Sequence, residues 1–199
     1  HDGIGAYHLT LARNNKSIEL DLKSDEGVNL FLKLVEVADV VVDNFSQGVT
    51  KRLGIDHDSL AKVNSKIITC SISGFGDTEI NRPAYDNIVQ GYSGAMSITG
   101  TDKNNPVKSG IPIADLGAGL YAIIGILSAI RSREIYDYGE HVDISMLDTQ
   151  VSLLTYMATM HFLSGEDPDP LGNQHMNHAP VNLYKTQDTF IQVAVAVSY

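Results

Sequence analysis

The sequence predicts an α/β fold: a parallel sheet with helices packed against it, followed by the start of a second, smaller domain. Three observations carry this. Short apolar, β-branched runs alternate with stretches whose apolar residues recur at helical spacing. Two of those runs, ADVVVDNF (38–45) and KIITCSIS (66–73), are continuously apolar in the manner of strands covered on both faces. A segment rich in Pro, Asn and Gly, GEDPDPLGNQHMNHAPVN, then separates the alternating region from a last strand-like run, TFIQVAVAV.

Taken in order, SIELDL (17–22) alternates apolar and polar residues and reads as a strand. Residues 25–37 read as a helix, with Asp25 near the start and Val28, Phe31, Leu32 and Val35 on one face. After the strand at 38–45 come a short helix over 56–63 and the strand KIITCSIS. A further helix is expected over 86–96, weakened by Gly91 and Gly94. Residues 115–133 read as a buried core helix. Its apolar run, Leu116 to Ile130, has 15 residues and three glycines, short of the ~18 that would read as a membrane span. In HVDISMLDTQVSLL, Val142, Ile144 and Met146 alternate as in a strand. From Leu147 the apolar residues Val151, Leu154, Ala158 and Phe162 follow a helical period. A strand over 141–145 and a helix over 148–163 are therefore expected. Strands alternating with helices in this way imply right-handed crossovers between parallel strands.

The composition narrows the function classes. The chain of 199 residues is 43% apolar and 19% charged, with a net charge of −10 and a pI near 5.0. No basic stripe exists to gather phosphates along a nucleic acid, so a nucleic-acid partner is not expected, nor is a membrane partner. An anionic ligand must be held by a few local cations against the overall field. The single cysteine, Cys70, precludes an intrachain disulfide and a thiolate metal cluster; it reads as a core residue or a reactive thiol. A reducing, cytoplasmic setting is the expectation. The chain opens on His1 and stops inside the apolar run FIQVAVAVSY, which leads us to expect a fragment.

Several residues invite a chemical reading. SGFGDTE offers Gly74 and Gly76 after a strand, but Glu79 stands where a dinucleotide fingerprint needs a third glycine, and Asn81, Arg82 and Pro83 break any helix. The segment reads as a tight loop at a strand's carboxyl end, the edge where α/β sheets bind ligands. His175 and His178 have the spacing of metal ligands without companions, so they read as loop residues and no metal is expected. His161 reads as a packed or surface histidine. Tyr7, His8, Arg13 and Lys16 fit either a solvated edge or an anion pocket. Asp148 stands where the strand period gives way to the helix period. It suits a helix cap, and the same place suits a nucleophile, since a carboxylate there is ionised and can attack an activated acyl group to form a mixed anhydride.

Six motifs occur in order: RNNKSIELDLKSDEG, ADVVVDNFSQGVTKRLGI, IITCSISGFGDTEINRPAYDNIVQGYSG, PVKSGIPIADLGAGLYAIIGILSAI, GEHVDISMLDTQVSLL and GNQHMNHAPVNLYKT. Together they resemble the class III CoA-transferase family, which includes formyl-CoA transferase, carnitine CoA-transferase and α-methylacyl-CoA racemase. The resemblance spans nearly the whole chain. It implies a Rossmann-like large domain over residues 1–164, a linker over 165–185 and the start of a truncated small domain over 186–199. It also implies subunits threaded through each other as a homodimer.

The implied reaction moves CoA from an acyl-CoA to a small carboxylic acid, both of them substrates. Asp148 would be acylated and then carry CoA as a thioester. By the same resemblance Asn44 and Phe45 line the CoA site and Arg52 holds its phosphates, bidentate donors suiting an anion that the net charge repels. Ser73 and Phe75 stand at CoA-contacting positions where the family carries tyrosine or lysine, so a polar contact there is lost or changed. Asp115 matches a supporting aspartate. Racemases of the family use a histidine–aspartate pair where this chain has Tyr85 and Asp86, and a glutamate for which Tyr199 stands by a looser alignment. Tyrosine, with an ordinary pKa of ~10, is a poor base for proton exchange beside a thioester. Transferase is therefore the expected activity, with a 2-methylacyl-CoA racemase or a CoA-binding module without turnover as the alternatives.

Overall fold

A computed structural model describes residues 5–80 and 82–195. Three strands, β1 (Val40–Asp43), β2 (Ile68–Ser73) and β3 (His141–Ser145), form a parallel sheet in that order. The register pairs Val41 with Thr69, Cys70 with Val142, Ile72 with Ile144 and Ser73 with Ser145. Side chains alternate along a strand. Val40, Ile68, Cys70, Ile72, Val142 and Ile144 therefore share one face, and Val41, Thr69, Ser71, Asp143 and Ser145 share the other.

Each face has its own helices. On the first lie α5 (Asp86–Tyr92), α6 (Ile113–Tyr136) and α7 (Met146–Ser152), where Val89, Ala114, Ala118 and Met146 are buried with Ile72 and Ile144 against them. On the second lie α2 (Asp25–Val35), α3 (Val49–Leu53) and α4 (His57–Ala61). There Val35, Ile55, Leu60 and Ile67 form a second core with Phe31, Val41 and Leu53 packed on it. A fully buried aliphatic side chain such as Leu60 contributes roughly 1.5–3 kcal/mol. The expected parallel α/β arrangement with helices on both faces is what the chain adopts. Ser24 caps α2, its hydroxyl accepting from Gly27 N at 3.0 Å, with Asp25 and Glu26 in the first turn.

Four expectations need correction. Residues 17–22 form no strand: their alternation supplies an apolar face but no ladder partner, and Leu22 is drawn into the α2 core while Ile18 stays exposed. The helix expected over 148–163 starts earlier and is broken in two, α7 and α8 (Tyr156–Ser164). The break centres on Thr155 at φ 51°, and Ser152 there gives its hydroxyl to Thr149 O at 2.7 Å, a local alternative to helical bonding. The helix expected to be a buried core element, α6, is buried along one side only. Ala114, Gly117, Ala118, Ala122 and Ala129 are covered, whereas Leu116, Leu120, Ile123, Ile124 and Leu127 are exposed. By length and composition it is also long and apolar enough to cross a membrane, with mean hydropathy 1.9 over its best window. Small residues let it lie close on the sheet, and the large ones point away. Finally, the expected linker contains β4 (Val181–Lys185), which pairs antiparallel with β5 (Phe190–Ala194). A short helix, α1 (Ala6–Leu11), buries none of its residues, and Tyr7, His8, Arg13 and Lys16 are all exposed.

Cys70 lies in mid-sheet, fully buried, with its thiol pushed up to about 11 by burial and secondarily by the carboxylates of Asp43 and Asp143. The thiolate is the reactive form, so the core-residue alternative prevails. A disulfide reagent at pH 8 is expected to leave the native protein unlabelled and to label one thiol once denaturant is added. Stoichiometric labelling of the native protein would contradict this placement.

Candidate active site at the carboxyl edge of the sheet

All three strands deliver their following residues to one cavity of about 540 Å³. Asn44 to Gln47 follow β1, Ser73 ends β2 and Gly74 to Gly76 follow it, and Met146 follows β3. Residues 82–85 and the first turns of α6 close it. This is the edge at which a parallel sheet leaves unpaired backbone for a ligand.

The loops are pinned by carboxylates at the strand ends. Asp43 accepts from Phe45 N at 3.1 Å and from the Ser71 hydroxyl at 2.7 Å, and the Asn44 amide donates to Ile72 O at 2.6 Å. The turn after β1 is thus tied to β2 at two levels. After β2, Gly76 N donates to Ser73 Oγ at 2.9 Å and Asp77 N to Asp143 Oδ2 at 2.8 Å. Gly76 has φ 67°, and a Cβ there would stand 3.0 Å from Asp143 Oδ2 and 3.1 Å from Ser145 Cβ, so only glycine permits this approach.

Ser145, at the end of β3, caps α7: its hydroxyl accepts from Asp148 N at 3.0 Å. The capping alternative for Asp148 is therefore corrected. Asp148 is the third residue of the helix, exposed, and no cation among the described residues pairs with its carboxylate. It does not line the 540 Å³ cavity; it stands two residues beyond Met146, which does. Leu147 N, between them, donates to Gly74 O at 3.1 Å and fastens the start of α7 to the loop after β2.

The other expected residues divide between two cavities. Asn44, Phe45, Ser73, Phe75, Tyr85 and Asp115 line the first. Arg52 lines a neighbouring cavity of about 380 Å³ with Lys23, Leu22 and Val49, and Phe45 borders both. Ser73 spends its hydroxyl on the loop, and Phe75 is buried, so each acts as scaffold at the cavity wall. Tyr85 is 77% exposed. The Asp115 carboxyl is raised from its ordinary value by partial burial and then by Asp86. Tyr199 lies outside the described residues. The His175 and His178 rings lie with centroids 4.5 Å apart, tilted by 40°, and no group of three or more His, Cys, Asp or Glu gathers as a metal site among the described residues.

Three residues escaped the sequence reading. Asp86, read there as a helix start and as the match to the racemases' aspartate, reaches across to α6, its Oδ1 accepting from Ala114 N at 2.9 Å and Asp115 N at 3.4 Å. Its Oδ2 accepts from Gln90 Nε2 at 2.6 Å, and Gln90 Oε1 accepts from Ser109 N at 2.8 Å. The available signal was that Pro112, ahead of α6, offers no capping side chain. Lys23 joins Arg52. Arg82, read as a helix breaker, lies over two rings, 4.6 Å from the Tyr92 centroid and 5.4 Å from that of Phe75. No spacing in the sequence announces that stack.

Comparison with known proteins places this geometry among relatives. The model of a family described as CoA-transferase family III matches residues 1–198. A succinate–glutarate CoA-transferase of Agrobacterium fabrum is 40% identical over 192 residues, covering 96% of this chain and 48% of that one. An acetyl-CoA:oxalate CoA-transferase of Acetobacter aceti is 38% identical, covering 92% of this chain and 48% of that one. The crystal structure of a CAIB/BAIF family protein from Brucella suis superposes with a TM-score of 0.84 at 37% identity, over 90% of this chain and 48% of that one. The chain thus spans about half the length of the curated relatives it matches.

Proposed function

The chain belongs to CoA-transferase family III, and from that premise we propose that it supplies the CoA-binding, nucleophile-bearing part of an enzyme that moves CoA from an acyl-CoA to a small dicarboxylic acid. The observation that carries the reading is the exposed Asp148 carboxylate at the sheet's carboxyl edge, without an ion-pair partner among the described residues and with Ser145 doing the capping beside it. A carboxylate held by neither cap nor ion pair keeps its lone pairs for a substrate.

In this reading a carboxylate oxygen of Asp148 attacks the thioester carbonyl of the donor, and CoA leaves as the thiolate, giving a mixed anhydride. The thiolate then attacks the aspartyl carbonyl, releasing the donor acid and leaving Asp148 as a CoA thioester. The acceptor carboxylate repeats the two steps in reverse order and departs as its own CoA thioester, with Asp148 restored. One thioester is exchanged for another, so no ATP is needed. Asn44 and Phe45 would border the pantetheine path, and Arg52 with Lys23 in the neighbouring cavity would hold phosphate charge. The relatives named for succinate, glutarate and oxalate support a dicarboxylic acceptor. The same reading carries a threaded homodimer in the cytoplasm, and the exposed α6 face of Leu116, Leu120, Ile123, Ile124 and Leu127 is the surface such a partner would cover.

Incubation of the protein with succinyl-CoA and glutarate is expected to yield glutaryl-CoA and free succinate in equal amounts without ATP. In deuterium oxide, recovered 2-methylacyl-CoA is expected to gain no deuterium, since Tyr85 occupies the position a base would need. Deuterium uptake without transfer would replace this reading with the racemase.

A further inference from the structure

The 540 Å³ cavity has one cationic side chain in its lining, Arg82. Its guanidinium carbon lies 4.6 Å from the Tyr92 ring centroid and 5.4 Å from that of Phe75, and these two rings meet edge to face at 5.8 Å and 87°. A cation–π contact engages the charge of the group without giving its N–H donors a hydrogen-bond acceptor. Among the described residues no carboxylate pairs with it. The arginine is therefore held in place by apolar contacts while its hydrogen-bonding capacity is unspent, in a chain whose net charge is −10. A planar fork of this kind matches a carboxylate bidentately.

Its position relative to the nucleophile is set by two short links. Phe75, the platform for Arg82, directly follows Gly74, and Gly74 O accepts from Leu147 N at 3.1 Å, the residue before Asp148. Arg82 and Asp148 are thus mounted on two sides of one small assembly. Resting on the reading above, we infer that Arg82 is a specificity residue that pairs with the carboxylate of a dicarboxylic substrate that does not become the thioester. A CoA phosphate is the poorer occupant. Asp115 shares the cavity wall and opposes multiple negative charge there, whereas the neighbouring cavity beyond Phe45 offers two cations, Lys23 and Arg52.

Calorimetric titration separates the possibilities, with glutarate, butyrate and CoA as probes of the wild-type protein, Arg82→Gln and Arg82→Lys. Glutarate and butyrate differ by the one carboxylate at issue. The wild type is expected to bind glutarate more tightly than butyrate. Arg82→Gln should lower glutarate affinity roughly ten- to hundredfold, as for loss of a hydrogen-bonded charge pair. Its effect on butyrate and CoA should stay within about threefold. Arg82→Lys keeps the charge without the fork and should recover part of the loss. Equal binding of the two acids by the wild type, or a gap that survives Arg82→Gln, overturns the assignment. So does an equal loss for glutarate, butyrate and CoA, the pattern of a merely structural arginine. Loss confined to CoA would make Arg82 a phosphate ligand and likewise overturn it. Wild-type protein that binds no CoA would overturn the underlying functional reading, an outcome distinct from intact CoA binding with no preference between the acids.

Discussion

Asp148→Asn is expected to lower CoA transfer by on the order of a thousandfold or more while leaving the fold and its thermal stability unchanged. The two halves of that expectation have separate physical grounds. Chemically, an amide has no anionic oxygen to attack a thioester, and the covalent route described above has no first step without one. Structurally, the Asp148 side chain makes no hydrogen bond or ion pair among the described residues: the capping hydroxyl is that of Ser145, and only the backbone N of Asp148 takes part. Asparagine keeps that backbone bond and nearly the same volume, so stability should stay within about 0.5 kcal/mol, as for ordinary surface changes. A drop in activity accompanied by unfolding would mean that Asp148 has a structural role. Retained activity in a folded protein would remove it as the nucleophile.

Gly139→Ala is expected to be the most damaging single methyl in the molecule for stability. Gly139 is buried at the entrance to β3, its N donating to Ser65 O at 2.9 Å, and one residue later Glu140 O accepts from Thr69 N at 3.1 Å. A Cβ at 139 would lie 1.9 Å from Ile67 O, 2.4 Å from Ile67 C and 2.7 Å from Lys66 C. All three are backbone atoms of the segment leading into β2, so no side-chain rotation relieves the clash. The pairing of β2 with β3 must open instead. A cost of about 3 kcal/mol or more is expected, at the upper end for overpacking, which lowers the melting temperature by about 6–12 °C for a chain of this size. The same substitution at Gly119 has nothing within 4 Å of its Cβ and removes a glycine from a helix interior. It should stabilise by up to about 1 kcal/mol. Equal effects at the two sites in thermal denaturation would contradict this account of the β2–β3 junction.

How much of this was legible in the sequence depended on whether the information is local. The strand over 141–145 was readable to the residue, because Val142 and Ile144 alternate cleanly and Gly139 closes its near end. The parallel sheet was readable because β1 and β2 lie in continuous apolar runs and helical periods separate the strands. What failed was partnership. SIELDL has the period of a strand, yet nothing in its own residues says which neighbour would hydrogen-bond to it. The length and apolarity of α6 were plain, but which side of it meets the sheet is set by the small residues Ala114, Gly117, Ala118 and Ala122, and only packing makes their role visible.

The site shows the same division. A candidate reactive carboxylate where strand gives way to helix could be read from the change of period at Asp148. Which of two nearby residues does the capping could not, since Ser145 and Asp148 are both good caps and the answer turns on whether Met146 and Leu147 are helical. Asn44, Phe45 and Arg52 came from resemblance alone. The structural parts played by Asp86 and Arg82 came from neither source, because each acts through contacts that no local period encodes: Asp86 across 28 positions to Ala114, Arg82 through the rings of Phe75 and Tyr92.

If Asp148 is the nucleophile, it becomes covalently bonded to acyl group or CoA during turnover, which peptide mass spectrometry of protein quenched after mixing with succinyl-CoA detects. Added mass, corresponding to a CoA thioester or to a hydroxylamine-trapped acyl-aspartate, is expected on the peptide carrying Asp148 and on no other, and is expected to be absent in Asp148→Asn. An adduct on a different side chain, or turnover with no adduct on that peptide at any quench time, would contradict it.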